Sequence, residues 1–347
     1  MSNGSDPDAF QPACMLFQGA HAHRSHREFA DAIGADYKHF ETGRRPIEGT
    51  NQDVHSELAR VRTAWSLSNE YNLVIAEGTA PVQTAMAYKL LGNWKSKALY
   101  LAADETFYAL DNTQSMMIWN MLKPLTARIL DGVIAVGEDV YQWATPYLGE
   151  LDVRIVHPPI DDKKYDLLSV LPPTSPQNKF VILSAGTTKP TNNYDKLAQA
   201  TEHLVDKGIP VHTVLLGADH PNESYANSDH VLTPGFVDLT TFQSYFEQAS
   251  VYVQPSIGDS FPVAVLEGIL SGTPTLVTSG VGVRELLPES QIVDPTVDAL
   301  ADGIEMFYEM PVNERQTLGE TQREIVSDLT VANQTKQFRR AVHELTS

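Results

Sequence analysis

The sequence predicts an α/β protein of two doubly wound, Rossmann-like domains facing across a cleft. Three observations predict it. At 347 residues the chain is long for one domain and suits two. Short, continuously apolar runs alternate with amphipathic stretches, the pattern of parallel strands covered by helices on both faces. The alternation occurs twice, and a stretch with five prolines and little periodicity, "RIVHPPIDDKKYDLLSVLPPTSPQNK", separates the two rounds.

The opening "MSNGSDPDAFQP" is polar and reads as a flexible tail over 1–12, not a signal peptide. In a first domain over 13–157, "ACMLFQGA" reads as a strand and turn, "HREFADAIGA" as a helix, "YNLVIAEG" as a strand and "PVQTAMAYKLLG" as a helix. "KALYLAAD" and "GVIAVG" are further strands, followed by the helix "EDVYQWATPYLG". Residues 158–178 read as a linker. In a second domain over 179–330 the strands are "KFVILSAG", "VHTVLLGA", "HVLTPGFV", "VYVQPS" and "TPTLVTS". The helices between them are "NNYDKLAQATEHLVDKG", "LTTFQSYFEQAS" and "PVAVLEGILSG". A closing helix over 331–347 is of a kind that packs back across an interdomain joint.

Charge narrows the partners. Asp and Glu number 44 against 25 Lys and Arg, a net charge of −19, which disfavours nucleic acid and anionic membranes as non-specific partners. Acidity spread along the whole chain resembles the composition of halophilic, archaeal proteins. The single Cys14 excludes an internal disulfide and fits a reducing, cytoplasmic setting. No apolar run is long enough to span a membrane. The apolar segment from Ser115 to Leu130 suits either a buried helix interrupted by Pro124 or a peripheral membrane contact.

Ligands of doubly wound sheets bind outside the carboxyl ends of the strands, so the loops after each strand carry the candidate site residues. In "PSIGDSFPVAVLEGILSGTP" a loop holding Asp259 runs into a helix starting near Phe261 or Pro262, with Glu267 about two turns beyond Asp259. Amides around Ser260, Phe261, Pro262 and Val263, backed by the helix dipole, suit an anion such as a diphosphate. Glu267 suits a vicinal diol such as the ribose hydroxyls. On spacing alone a second reading stands beside this one, with Asp259 stabilising the helix start and Glu267 solvated.

From about Val153 to Leu287 the chain resembles the C-terminal half of retaining glycosyltransferases of the GT-B type, family 4 or group 1. Pro255, Ser256, Asp259, Phe261 and Glu267, then "SGTPTLVTSGVGVREL", carry the resemblance. It implies that Asp259 contacts the donor sugar and Glu267 the donor ribose. It also implies that the loop at Gly235, Phe236 and Val237 lies against the base, where a plain strand-to-helix turn is the alternative. Where the family commonly has Arg and Lys clamping the diphosphate, this chain has Thr187 and Asn192, while Gly186 keeps its place and Lys189 offers one nearby cation. Asp259 is itself one methylene shorter than the usual Glu.

In the first domain, Gly19, His21 and Arg24 follow the first strand, and Glu77 and Asp104 end later strands as partners for an acceptor hydroxyl or as helix caps. His21, His23 and His26 lack the spacing of a metal site, and neither a metal nor a cofactor is implied beyond the nucleotide-sugar substrate. The resemblance implies a retaining hexosyltransferase with Asp259, Lys189 and Asp104 as catalytic candidates. Its acceptor would be a glycan or a lipid-linked or polyprenyl-linked hydroxyl. A catalytically impaired nucleotide-sugar-binding partner of another transferase, or a sugar-nucleotide epimerase of the same architecture, is the alternative.

Overall fold

The computed structural model describes residues 11–18, 24–40, 67, 70–91, 94–103, 128–149, 151–172 and 180–347. The chain divides into two compact units, Met1–Pro158 with Val331–Ser347, and Pro159–Thr330. Each is a six-stranded, wholly parallel sheet flanked by helices.

The first unit contains β1 (Ala13–Gln18), α1 (Arg24–Ala32), β2 (Asp36–Phe40), β3 (Leu73–Glu77), α2 (Thr79–Leu91), β4 (Lys97–Ala102), β5 (Gly132–Ala135), α3 (Glu138–Leu148) and β6 (Val153–Ile155). Its strand order is β2-β1-β3-β4-β5-β6. Met15, Leu73, Ile75, Leu99, Leu101 and Ile134 form a core that includes Phe29 and, from the far end of the chain, Phe338 and Val342. Those last two belong to the helix Val331–Thr346, and the rings of Phe29 and Phe338 stack at 4.5 Å between centroids. β2, "DYKHF", was not read as a strand from the sequence. It lies at the sheet edge, where a continuous apolar run is not required.

The second unit contains α4 (Asp162–Leu168), β7 (Phe180–Ala185), α5 (Tyr194–Asp206), β8 (Val211–Leu216), β9 (Val231–Gly235), α6 (Leu239–Gln248), β10 (Val251–Gln254), α7 (Val263–Leu270), β11 (Thr275–Thr278), β12 (Ile292–Val293), α8 (Val297–Glu309) and α9 (Val312–Val326). The closing helix of the first unit is α10. The strand order here is β12-β11-β10-β7-β8-β9. All six residues of β7 are buried, as a central strand covered on both faces requires.

Two readings of the sequence are corrected. The stretch expected to be a linker, 158–178, holds α4, whose start is fixed by Asp161: one carboxylate oxygen accepts from the amides of Lys163 at 2.9 Å and Lys164 at 3.2 Å. The helix expected to begin at Phe261 or Pro262 begins at Val263, with Pro262 in extended conformation as its N-cap.

Candidate functional site

β7 and β10 are neighbours in the second sheet, and the chain runs outward from them in opposite directions. That makes the gap between them the topological switch point, the place where such sheets take ligands. The loops that leave these two strands, 186–193 and 255–262, are the two that the sequence singles out.

The first loop is shaped by close packing. A Cβ on Gly186 would overlap the Tyr194 hydroxyl, and one on Gly217 would overlap the Gly186 carbonyl, so both positions need glycine. That carbonyl also faces His220 Nε2 at 3.1 Å, and His220 Nδ1 faces the Tyr225 hydroxyl at 2.7 Å. A carbonyl only accepts, so Nε2 carries the proton and Nδ1 accepts from Tyr225. Burial pushes the His220 pKa below 6.5 and favours this neutral form.

Thr187 and Lys189 are exposed at the loop surface, whereas Asn192 is buried. The Asn192 side-chain amide donates to the Thr187 carbonyl at 2.6 Å. The two positions where the resemblance leads one to look for cations are therefore joined by a neutral hydrogen bond. Asn193 adopts the left-handed region at φ 58°, which asparagine tolerates, and its side chain donates to the Pro255 carbonyl at 2.9 Å. The Ile257 amide donates to the Thr191 carbonyl at 2.8 Å. The two loops are thus stitched together.

The second loop rests on a buried polar ladder. Tyr252 donates to Gln254 Oε1 at 3.1 Å, Gln254 donates to the Ser256 hydroxyl at 2.9 Å, and Thr278 donates to the Ser256 carbonyl. Asp259, half-buried, is held by its main chain: its amide donates to the Gly280 carbonyl at 3.0 Å and its carbonyl accepts from Gly282 at 2.9 Å. Side chains at Gly280 or Gly282 would overlap the carbonyls of Ile257 or Ser260. The glycines of "SGVGV" permit this backbone contact.

Because α7 begins at Val263, fewer amides than expected are placed to meet an anion. Pro262 has no N–H, Ser260 and Phe261 are buried, and the Val265 amide donates to the Pro262 carbonyl at 3.0 Å. The first-turn amides with no carbonyl partner among the described residues are those of Val263 and Ala264.

Glu267 lies four residues into the helix from Val263, about 6 Å along its axis. It is only 4% exposed, which overturns the solvated alternative. Its Oε1 accepts from Lys164 Nζ of α4 at 2.7 Å, and the same ammonium sits 4.6 Å from the centroid of the Phe242 ring. Burial raises the Glu267 pKa, and Lys164 opposes that rise. The neighbouring Gly268 lets α7 rest on β10, since a Cβ there would come within 2.7 Å of the Tyr252 ring. Lys164, Tyr252, Gln254, Asn193 and His220 were not found by sequence reasoning.

At the end of β9, Gly235 takes φ +78° and Phe236 is 87% exposed, an unusual setting for an aromatic ring. Val237 follows, half-buried, and Asp238 caps α6 by accepting from the Thr241 amide at 2.8 Å.

In the first unit, Glu77 ends β3 beside the corresponding switch point between β1 and β3. Its Oε2 lies 2.7 Å from His26 Nδ1, both side chains being buried. Arg24 pairs with Glu28 at 2.9 Å on the exposed face of α1. Gly19, His21 and Asp104, and most of the Ser115 to Leu130 segment, lie outside the described residues. Among the described residues no helix is long and apolar enough to cross a membrane.

The chain is similar in structure to sucrose-phosphate synthase of Thermosynechococcus elongatus, at 15% identity and TM-score 0.73 over 96% of this chain and 98% of that one. It is similar to HepE of Anabaena, solved with UDP and glucose, at 15% identity and TM-score 0.71 over 96% and 99%. The UDP-forming trehalose-phosphate synthase of Burkholderia xenovorans matches at 13% identity and TM-score 0.65 over 85% and 79%. These likenesses establish the two-domain Rossmann-like fold of the GT-B type. No curated protein matches the chain in sequence. A family model described as "Glycosyl transferases group 1" matches residues 172–325. The matched residues make up most of the second unit.

Proposed function

We propose that the protein is a retaining glycosyltransferase that moves a hexosyl group from a nucleoside diphosphate sugar to a hydroxyl acceptor. One observation carries the proposal: at the switch point of the unit that the glycosyl transferases group 1 model matches, Asp259, the amides of Val263 and Ala264, and buried Glu267 follow one another along one loop and helix. The diphosphate sits on the two amides and the helix dipole, with Lys189 and Thr187 of the facing loop on its outer oxygens. The ribose hydroxyls donate to Glu267, and the sugar hydroxyls to Asp259. The base lies by Gly235, Phe236 and Val237, which end a strand two positions, about 10 Å, from β7. In the reaction the bond from the anomeric carbon to the diphosphate oxygen breaks and the acceptor oxygen bonds to the same face. The acceptor proton passes to the departing phosphate.

On the acceptor side we place Gly19, His21, Arg24, Glu77 and Asp104. The UDP and UDP-glucose complexes of HepE make uridine donors the first to test. A glycan, glycolipid or polyprenyl-linked acceptor fits a surface-glycan or protein-glycosylation pathway. The experiment is a thermal-shift screen of UDP, GDP and ADP sugars in high salt. One nucleotide class should raise the melting temperature, and Glu267→Ala should abolish both that shift and sugar transfer. No shift with any donor would sink the proposal.

A second reading, a donor-binding partner without transferase activity, is favoured by the neutral Thr187 and Asn192 pair in place of two cations. It requires donor binding without hydrolysis or transfer.

A further inference from the structure

We infer that Lys164 is a positioning residue for the donor: its ammonium holds one oxygen of Glu267 in an ion pair and leaves the other oxygen to accept the ribose hydroxyls. The inference deepens the donor-site reading above and rests on it.

The geometry is specific. Lys164 Nζ lies 2.7 Å from Glu267 Oε1. Oε2 has no hydrogen-bond partner among the described residues. The carboxylate therefore has one oxygen taken by the lysine and one with its lone pairs unused among the described residues.

The lysine is held as firmly as its target. Asp161 caps the first turn of α4, the Tyr165 hydroxyl donates to the Ser327 carbonyl at 2.8 Å, and Phe242 of α6 lies beneath the ammonium. Only 31% of the lysine side chain is exposed, and only 5% of the Glu267 side chain.

A carboxylate buried to this degree is costly to ionise without a partner. Among the described residues, Lys164 is the cation that acts on it. Tyr252 of β10 contributes a neutral phenol, kept protonated by burial. Arg323 of α9 spends its guanidinium on the carbonyls of Ser271 at 2.6 Å and Leu171 at 2.7 Å, with Glu320 on its own helix nearby. Asp259 in the preceding loop offers a carboxyl group, not a cation. Burial raises the Glu267 pKa and Lys164 alone lowers it. Removing the ammonium leaves the rise unopposed, so the carboxyl protonates at a higher pH and becomes a poorer acceptor for a diol.

The test is calorimetric titration of UDP and of 2′-deoxy-UDP from pH 5 to pH 8 into the wild-type chain and into Lys164→Met, Lys164→Arg and Glu267→Gln, with Lys164→Gln as a second neutral variant. Lys164→Met should weaken UDP about tenfold or more, reduce the preference for UDP over the deoxy analogue, and move the acid limb of the binding profile to higher pH. Lys164→Arg should restore most of the affinity and the wild-type limb. Wild-type affinity and limb position in both neutral variants, or tighter binding in them, would overturn the inference while a weakened Glu267→Gln keeps the donor reading. No binding of UDP to the wild-type chain, or Glu267→Gln equal to wild type, would remove the uridine donor reading and this inference with it.

Discussion

Asn192 shows what replaces a cation at a crowded turn. Its amide reaches the Thr187 carbonyl from a buried position, so the loop after β7 is closed by a neutral bond. Asn192→Lys would break that bond and bury an ammonium. The expected loss is about 1–3 kcal/mol, read from the denaturant midpoint. His220, behind the same loop, gives a pH signature. Its folded pKa is below the unfolded 6.5, so its stabilising contribution is complete above that value and is lost as the pH falls through it towards the lowered folded value. Melting temperature should decline from pH 7 to pH 5. The part of that decline due to His220 should vanish in His220→Gln, and an identical slope in the variant would refute the assignment.

Among the elements, α4 is the one whose removal would be felt furthest from itself. It packs on α7 and α6, and through Lys164 it reaches the Glu267 carboxylate at the proposed donor site. Asp161→Ala removes the cap that accepts two amides and should cost about 1 kcal/mol. The same change should loosen donor binding, with an unchanged dissociation constant as the contrary result.

This helix also marks the limit of what the chain discloses on reading. β7, β10 and β11 stand out as short, mostly apolar runs because both their faces are covered, and Asp259 in the loop after β10 and Glu267 on α7 stand out by spacing. α4 is short, charged and flanked by prolines, so its composition resembles a connector. The contact from Lys164 to Glu267 spans 103 positions and leaves no local pattern. Edge strand β2 escapes for the opposite reason to β7, since a strand paired on one side tolerates polar residues.

At the level of the whole chain, a charge of −19 implies self-repulsion that salt relieves. The screening length falls from about 10 Å at 0.1 M to about 3 Å at 1 M. Melting temperature should therefore rise by several degrees between 0.1 M and 2 M KCl. A flat or falling curve would remove the high-salt reading of the composition.

The return of α10 to the first unit has a consequence for biosynthesis. Phe338 and Val342 complete a core whose members from Met15 to Ile134 leave the ribosome about 200 to 320 residues earlier. The second unit, Pro159–Thr330, is contiguous and has all its parts before that helix is translated. The nascent chain is thus expected to mature in reverse order, with the later-made half folding first and the earlier-made half waiting for the last helix.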